Sequence, residues 1–123
     1  MNRKFTRTSA SLCICAVLVL FTARELRAHA ILVDATPKTG ATVAGPDVPI
    51  RLRFNVRIDG GRSRITLVPP AGSTKQLVLD KQATPDVLTT KAQGLVAGKY
   101  KLQWQVLAAD GHISRGELTF TVQ

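Results

Sequence analysis

Beyond residue 30 the chain alternates apolar and polar positions in short runs, and no stretch sustains the spacing of an amphipathic helix. In the run IRLRF, Ile50, Leu52 and Phe54 share one face and Arg51 and Arg53 the other, because side chains alternate across a strand. The run YKLQWQV turns Tyr100, Leu102, Trp104 and Val106 one way and Lys101, Gln103 and Gln105 the other. In the last run, LTFTV, the residues Leu118, Phe120 and Val122 point inward. Apolar runs at 31–33, 65–68 and 76–79, with a weaker one at 87–89, bring the count to seven strands. Turn-forming residues separate them: Pro37 to Gly40, Gly45 to Pro49, Asp59-Gly60-Gly61, Pro69 to Ser73, Ala83 to Asp86 and Gly98. The pattern predicts an all-β domain, a sandwich or barrel of about seven strands.

Ahead of this region Arg3, Lys4 and Arg7 precede an uncharged stretch, Thr8 to Ala23, centred on LCICAVLVLF. The stretch is shorter than the ~20 residues of a membrane-spanning helix and is followed by small residues, the pattern of a cleaved secretory signal peptide. Cys13 and Cys15 both lie within it, so the exported part has no thiol for a disulfide or a metal. Two cut sites compete. Ala28 and Ala30 supply the small residues for cleavage after Ala30, whereas cleavage after Ala28 sets Leu26 three residues before the cut and leaves His29 first. The second assignment divides the chain into a leader, 1–28, and one domain, 29–123, of 95 residues. With the n-region charges, Arg24, Arg27 and Glu25 also leave, so of 17 basic and 8 acidic residues 12 and 7 remain, a formal +5. These charges stand singly along strands without interleaved aromatics, which reads as a solvated sheet face and not as a nucleic-acid site.

The residues able to do chemistry reduce to His29, His112 and the carboxylates. The sharpest group is AADGHISRG, residues 108–116, which joins the two clearest strands. By itself Asp110-Gly111-His112 is an ordinary turn with an exposed histidine. Removal of the leader changes the reading, since an N-terminal histidine offers its α-amine and Nδ1 to one ion as a six-membered chelate. The ring of His112 adds a third nitrogen, and Asp110 an oxygen at a more distant position. A planar, nitrogen-rich set of this kind suits Cu(II) over Zn(II). A thioether site for Cu(I) is excluded, because the only methionine is Met1. Arg115 and Glu117 read as a surface pair flanking Gly116, and Trp104 as a core residue.

HAILVDATPKTGATVAGPD at the start of the domain and LVAGKYKLQWQVLAADGHISRGELTFTV at its end resemble the CopC family of periplasmic copper-binding proteins. The second stretch carries the more specific signature: Gly-x-Tyr, a Trp-bearing strand, Asp-Gly-His and a final Phe-x-Val strand. The resemblance implies a Greek-key β-sandwich, cupredoxin-like or immunoglobulin-like, that binds Cu(II) through His29, His112 and, more weakly, Asp110. It favours the cut after Ala28. Some members place a Glu just beyond the strand that ends here at Phe54, where this chain has Asn55-Val56; members with a Cu(I) site carry methionines in the middle strands, also missing here. A Cu(II)-only, monomeric carrier or buffer in copper homeostasis or resistance is therefore expected, not an enzyme, handing its ion to a CopD-type inner-membrane importer. Two other readings compete: a histidine-brace copper oxygenase, and an immunoglobulin-like interaction module that needs no metal.

Overall fold

In the computed structural model, which describes residues 29–123, eight strands form two sheets. The leader assignment, with Cys13 and Cys15, lies outside the described residues. The strands are β1 (Leu32–Thr36), β2 (Thr42–Val43), β3 (Val48–Phe54), β4 (Ile58–Val68), β5 (Lys75–Leu77), β6 (Val87–Ala92), β7 (Gly98–Ala108) and β8 (Ile113–Val122). One sheet has the order β1-β3-β6 and the other β2-β8-β7-β4-β5. The expected β-sandwich is what forms.

Alternation explains the core. Val48, Ile50, Leu52 and Phe54 of β3 are all buried and face Leu102 and Val106 of β7 and Leu118, Phe120 and Val122 of β8 in one cluster. Each fully buried side chain of this size contributes roughly 1.5–3 kcal/mol from the apolar surface it removes from water. Tyr100 stacks on Phe120 with ring centroids 5.5 Å apart, and its hydroxyl donates to the Val96 carbonyl at 2.8 Å, so the one polar atom it brings inside is satisfied. Thr90, the buried polar residue, likewise donates to the Val78 carbonyl at 2.6 Å.

Four details differ from the sequence reading. The eighth strand, β2, is two residues long and pairs in parallel with Thr121 and Val122. Asp59-Gly60-Gly61 is no turn but the start of β4, where the register against β7 shifts between Asp59 and Arg64. Gln82 stabilises this bulge: its Oε1 accepts from the Gly60 amide at 3.0 Å while its Nε2 donates to the Ile58 carbonyl at 3.1 Å. Trp104 points inward as expected yet stays half-buried, lying across Gly116 of the neighbouring strand and edge-on to Phe54 at 6.4 Å. Arg115 and Glu117 do not pair with each other; Arg115 donates to Gln105 and Glu117 forms an ion pair with Lys101.

What matters for the site is one end of the sandwich. The register of Leu32 on Phe54, of Ile58 on Ala108 and of Leu107 on Ile113 brings there the start of β1, the end of β3, the start of β4 and the β7–β8 turn.

Candidate metal centre

The β7–β8 turn is tied by three main-chain hydrogen bonds. Ala108 donates to the His112 carbonyl at 2.8 Å, Gly111 to Ala108 at 2.9 Å, and Ala109 to Arg57 on the approach to β4 at 3.0 Å. Gly111 sits at φ +92°, in the region that glycine enters without a Cβ clash. The turn therefore projects Asp110 and His112 together at the tip, both exposed.

Asp110 grips His112 twice. Its Oδ1 accepts the His112 main-chain N–H at 3.1 Å, and its Oδ2 lies 3.2 Å from Nδ1 of the ring. A carboxylate on Nδ1 fixes the ring and leaves Nε2 as the nitrogen free for a metal, the arrangement usual for ligating histidines. Asp110 thus holds the His112 ring in place.

The same contacts pull the Asp110 carboxyl below its ordinary value of 3.8, chiefly through the His112 main-chain N–H, against the opposing effect of desolvation. A depressed carboxyl contributes to holding the turn above its unfolded value, and that contribution disappears as pH falls through the folded one. An NMR titration of the Asp110 carboxyl carbon is accordingly expected to give a midpoint below 3.8; a midpoint at or above it would mean that the grip on His112 is absent in solution.

The N-terminal end of the domain is brought to this turn from the other sheet. The Ala30 amide donates to Ser114 Oγ of β8 at 3.0 Å across 84 residues of sequence. The Ile31 amide donates to Asn55 Oδ1 at 2.7 Å, and the Asn55 amide returns a bond to the Ile31 carbonyl at 3.0 Å. Ala30 itself is buried in the end of the core. Held by these contacts, the His29 ring meets the His112 ring edge-on with centroids 6.0 Å apart. The three residues singled out in the sequence thus lie at one end of the sandwich, His29 against His112 and Asp110 on His112.

Among the described residues no three His, Cys, Asp or Glu side chains converge as a ready metal cage. The reason follows from the geometry. Asp110 is bonded to Nδ1 of His112, so the side chains that face each other are the two imidazoles of His29 and His112. Asn55 and Ser114, which aim His29 at the turn, escaped the sequence reading. Nothing local marks them, because their partners lie 24 and 84 residues away.

A family model for the CopC domain matches residues 32–123. The chain belongs to the CopC family. Copper resistance protein C from Pseudomonas syringae pv. tomato is 30% identical over 105 residues, which span 79% of this chain and 82% of that protein. The crystal structure of CopC from Methylosinus trichosporium OB3b superposes with a TM-score of 0.69 at 36% identity, covering 77% of this chain and 94% of that one. PcoC from Escherichia coli, described as a methionine-rich copper resistance protein, superposes with a TM-score of 0.65 at 26% identity, covering 78% and 100%. The family match thus reaches from β1 through the Asp-Gly-His turn to β8, with His29 three residues ahead of its first matched position.

Proposed function

We propose that this CopC-family chain is a periplasmic Cu(II)-binding protein, a carrier or buffer that holds the ion through the α-amine and ring of His29 and Nε2 of His112. The observation that carries the reading is the 6.0 Å approach of two histidine rings from opposite ends of the domain. The relatives' association with copper resistance supplies the metal's identity. The contrast with methionine-rich PcoC supports Cu(II): one methionine, Met1, cannot build a thioether site, and hard, nitrogen-rich donors favour the divalent ion. Asp110 acts through His112. Binding requires the donors to lose their protons, so acidification releases the ion, a property suited to handing it to a CopD-type importer.

The oxygenase alternative lacks an aromatic platform for a polysaccharide, since Phe54, Tyr100 and Phe120 are all in the core and Trp104 leans into it. The interaction-module alternative is separated by one experiment. In a Cu(II) titration of the chain beginning at His29, His112→Ala is expected to weaken binding by more than about a hundredfold, beyond the 10–100-fold typical of an orienting partner alone. His112 is exposed, so the substitution leaves the core untouched. Equal affinity of the two proteins would exclude His112 as a ligand and leave the module reading standing.

A further inference from the structure

On the outer face of the five-stranded sheet, three strands place Arg64, Gln105 and Arg115 side by side in one rung. Both guanidiniums bond the same neutral atom: Arg64 Nη2 donates to Gln105 Oε1 at 2.9 Å and Arg115 Nε donates to it at 3.0 Å. Two like charges are thereby gathered on one amide oxygen, and among the described ion pairs neither arginine has a carboxylate. The next rung is Thr66, Gln103 and Glu117. Its carboxylate is already engaged, 3.6 Å from Lys101 Nζ and 3.5 Å from Gln103 Nε2. The two rungs line an open groove of about 430 Å³ that Trp104 and Gly116 complete.

Guanidinium groups match the planar, two-oxygen geometry of a carboxylate, and a neutral amide only partly uses their donors. We propose that this groove docks an acidic polypeptide segment of a partner protein, with carboxylates displacing Gln105 from Arg64 and Arg115. The two guanidiniums come from the outer strands of a rung that spans β4, β7 and β8, so an extended chain laid across the sheet can set a carboxylate on the pair and continue past it. Glu117 on the same face adds a negative charge that disfavours a densely anionic bilayer. The surplus positive charge of residues 29–123 steers an acidic partner toward this surface. Arg115 is three residues from His112, on the order of 10 Å along the strand, so a segment docked here lies beside the metal end of the sandwich. The groove itself does not depend on which ion, if any, the two histidines hold.

The Trp104 indole lies on the other face of the sheet, over Gly116 and against Phe54, so binding in the groove is read by isothermal titration calorimetry. The metal-free protein beginning at His29, titrated at low ionic strength with a hexaglutamate peptide, is expected to show a saturable heat of binding. In Arg64→Gln/Arg115→Gln the dissociation constant should rise about tenfold or more, as expected when charged donors to a carboxylate are removed. Lys81→Gln/Lys91→Gln, which lowers the net charge equally at exposed sites away from the groove, should stay within about twofold of the parent. Equal weakening in both double variants would overturn the proposal, since attraction would then be to net charge alone. It would also fall if inorganic phosphate saturated the signal at the same concentrations, or if phosphatidylglycerol vesicles, and not the peptide, gave the arginine-dependent response.

Discussion

A chain that begins at His29 is expected to bind Cu(II) about a thousandfold more tightly than the same chain acetylated at its α-nitrogen, a difference of ~4 kcal/mol. Acetylation leaves every side chain in place. It converts the α-amine into an amide nitrogen, a far poorer donor at neutral pH, and abolishes the chelate in which amine and Nδ1 share one ion. The site then retains two ring nitrogens from residues that meet only at a 6.0 Å ring contact. Isothermal titration against a competing chelator measures the difference, and comparable affinities would remove the amine from the ligand set. The structure also bears on which start residue is used. Cleavage after Ala30 would discard His29 together with Ala30, a buried residue whose amide bonds Ser114, and would turn the Ile31 amide on Asn55 into a charged terminus. Cleavage after Ala28 keeps all of these contacts. The local preference for small residues near the cut thus opposes the packing of the folded domain, and the intact mass of the exported protein decides between them.

Period-two alternation is why so much of the fold could be read in advance. Ile50, Leu52, Phe54, Tyr100, Leu102, Val106, Leu118, Phe120 and Val122, all assigned inward from pattern alone, are all buried. The signal fails where structure is set by distant partners. Two residues cannot show alternation, so β2 exists only because β8 offers an edge to Thr42 and Val43. Gly60-Gly61 is a turn signal by composition, but Gln82 supplies the hydrogen bonds that keep it in β4 as a bulge. At the site, Asp110, His112 and His29 were legible because their chemistry is carried by residue type. The division of labour between them was not. That Asp110 would hold Nδ1 of His112, and that Asn55 and Ser114 would aim the N-terminal segment, depends on contacts between strands far apart in sequence.

Gly116→Val is expected to lower stability by about 3 kcal/mol, the upper end of overpacking costs, and the melting temperature by roughly 10–20 °C for a domain of this size. Gly116 pairs with Trp104 across β7 and β8, and a Cβ built at residue 116 would clash with Trp104 Cζ2 and stand 2.6 Å from Cε2. The indole occupies the space that a side chain would fill, an arrangement in which an aromatic ring covers a strand glycine. Its rigid ring is wedged edge-on against Phe54, so it cannot yield as the end of a flexible side chain would. A double-mutant cycle isolates this contact: in a Trp104→Ala background the valine should cost far less, because the clashing ring has gone. Additive losses would mean that the glycine is required for some other reason, such as backbone twist. The same strand carries Ser114 two residues before Gly116, and His112 closes the turn just ahead of it. Displacing the indole therefore disturbs the strand that holds both the N-terminal anchor and the second imidazole, so the valine variant should lose Cu(II) affinity although it alters no ligand.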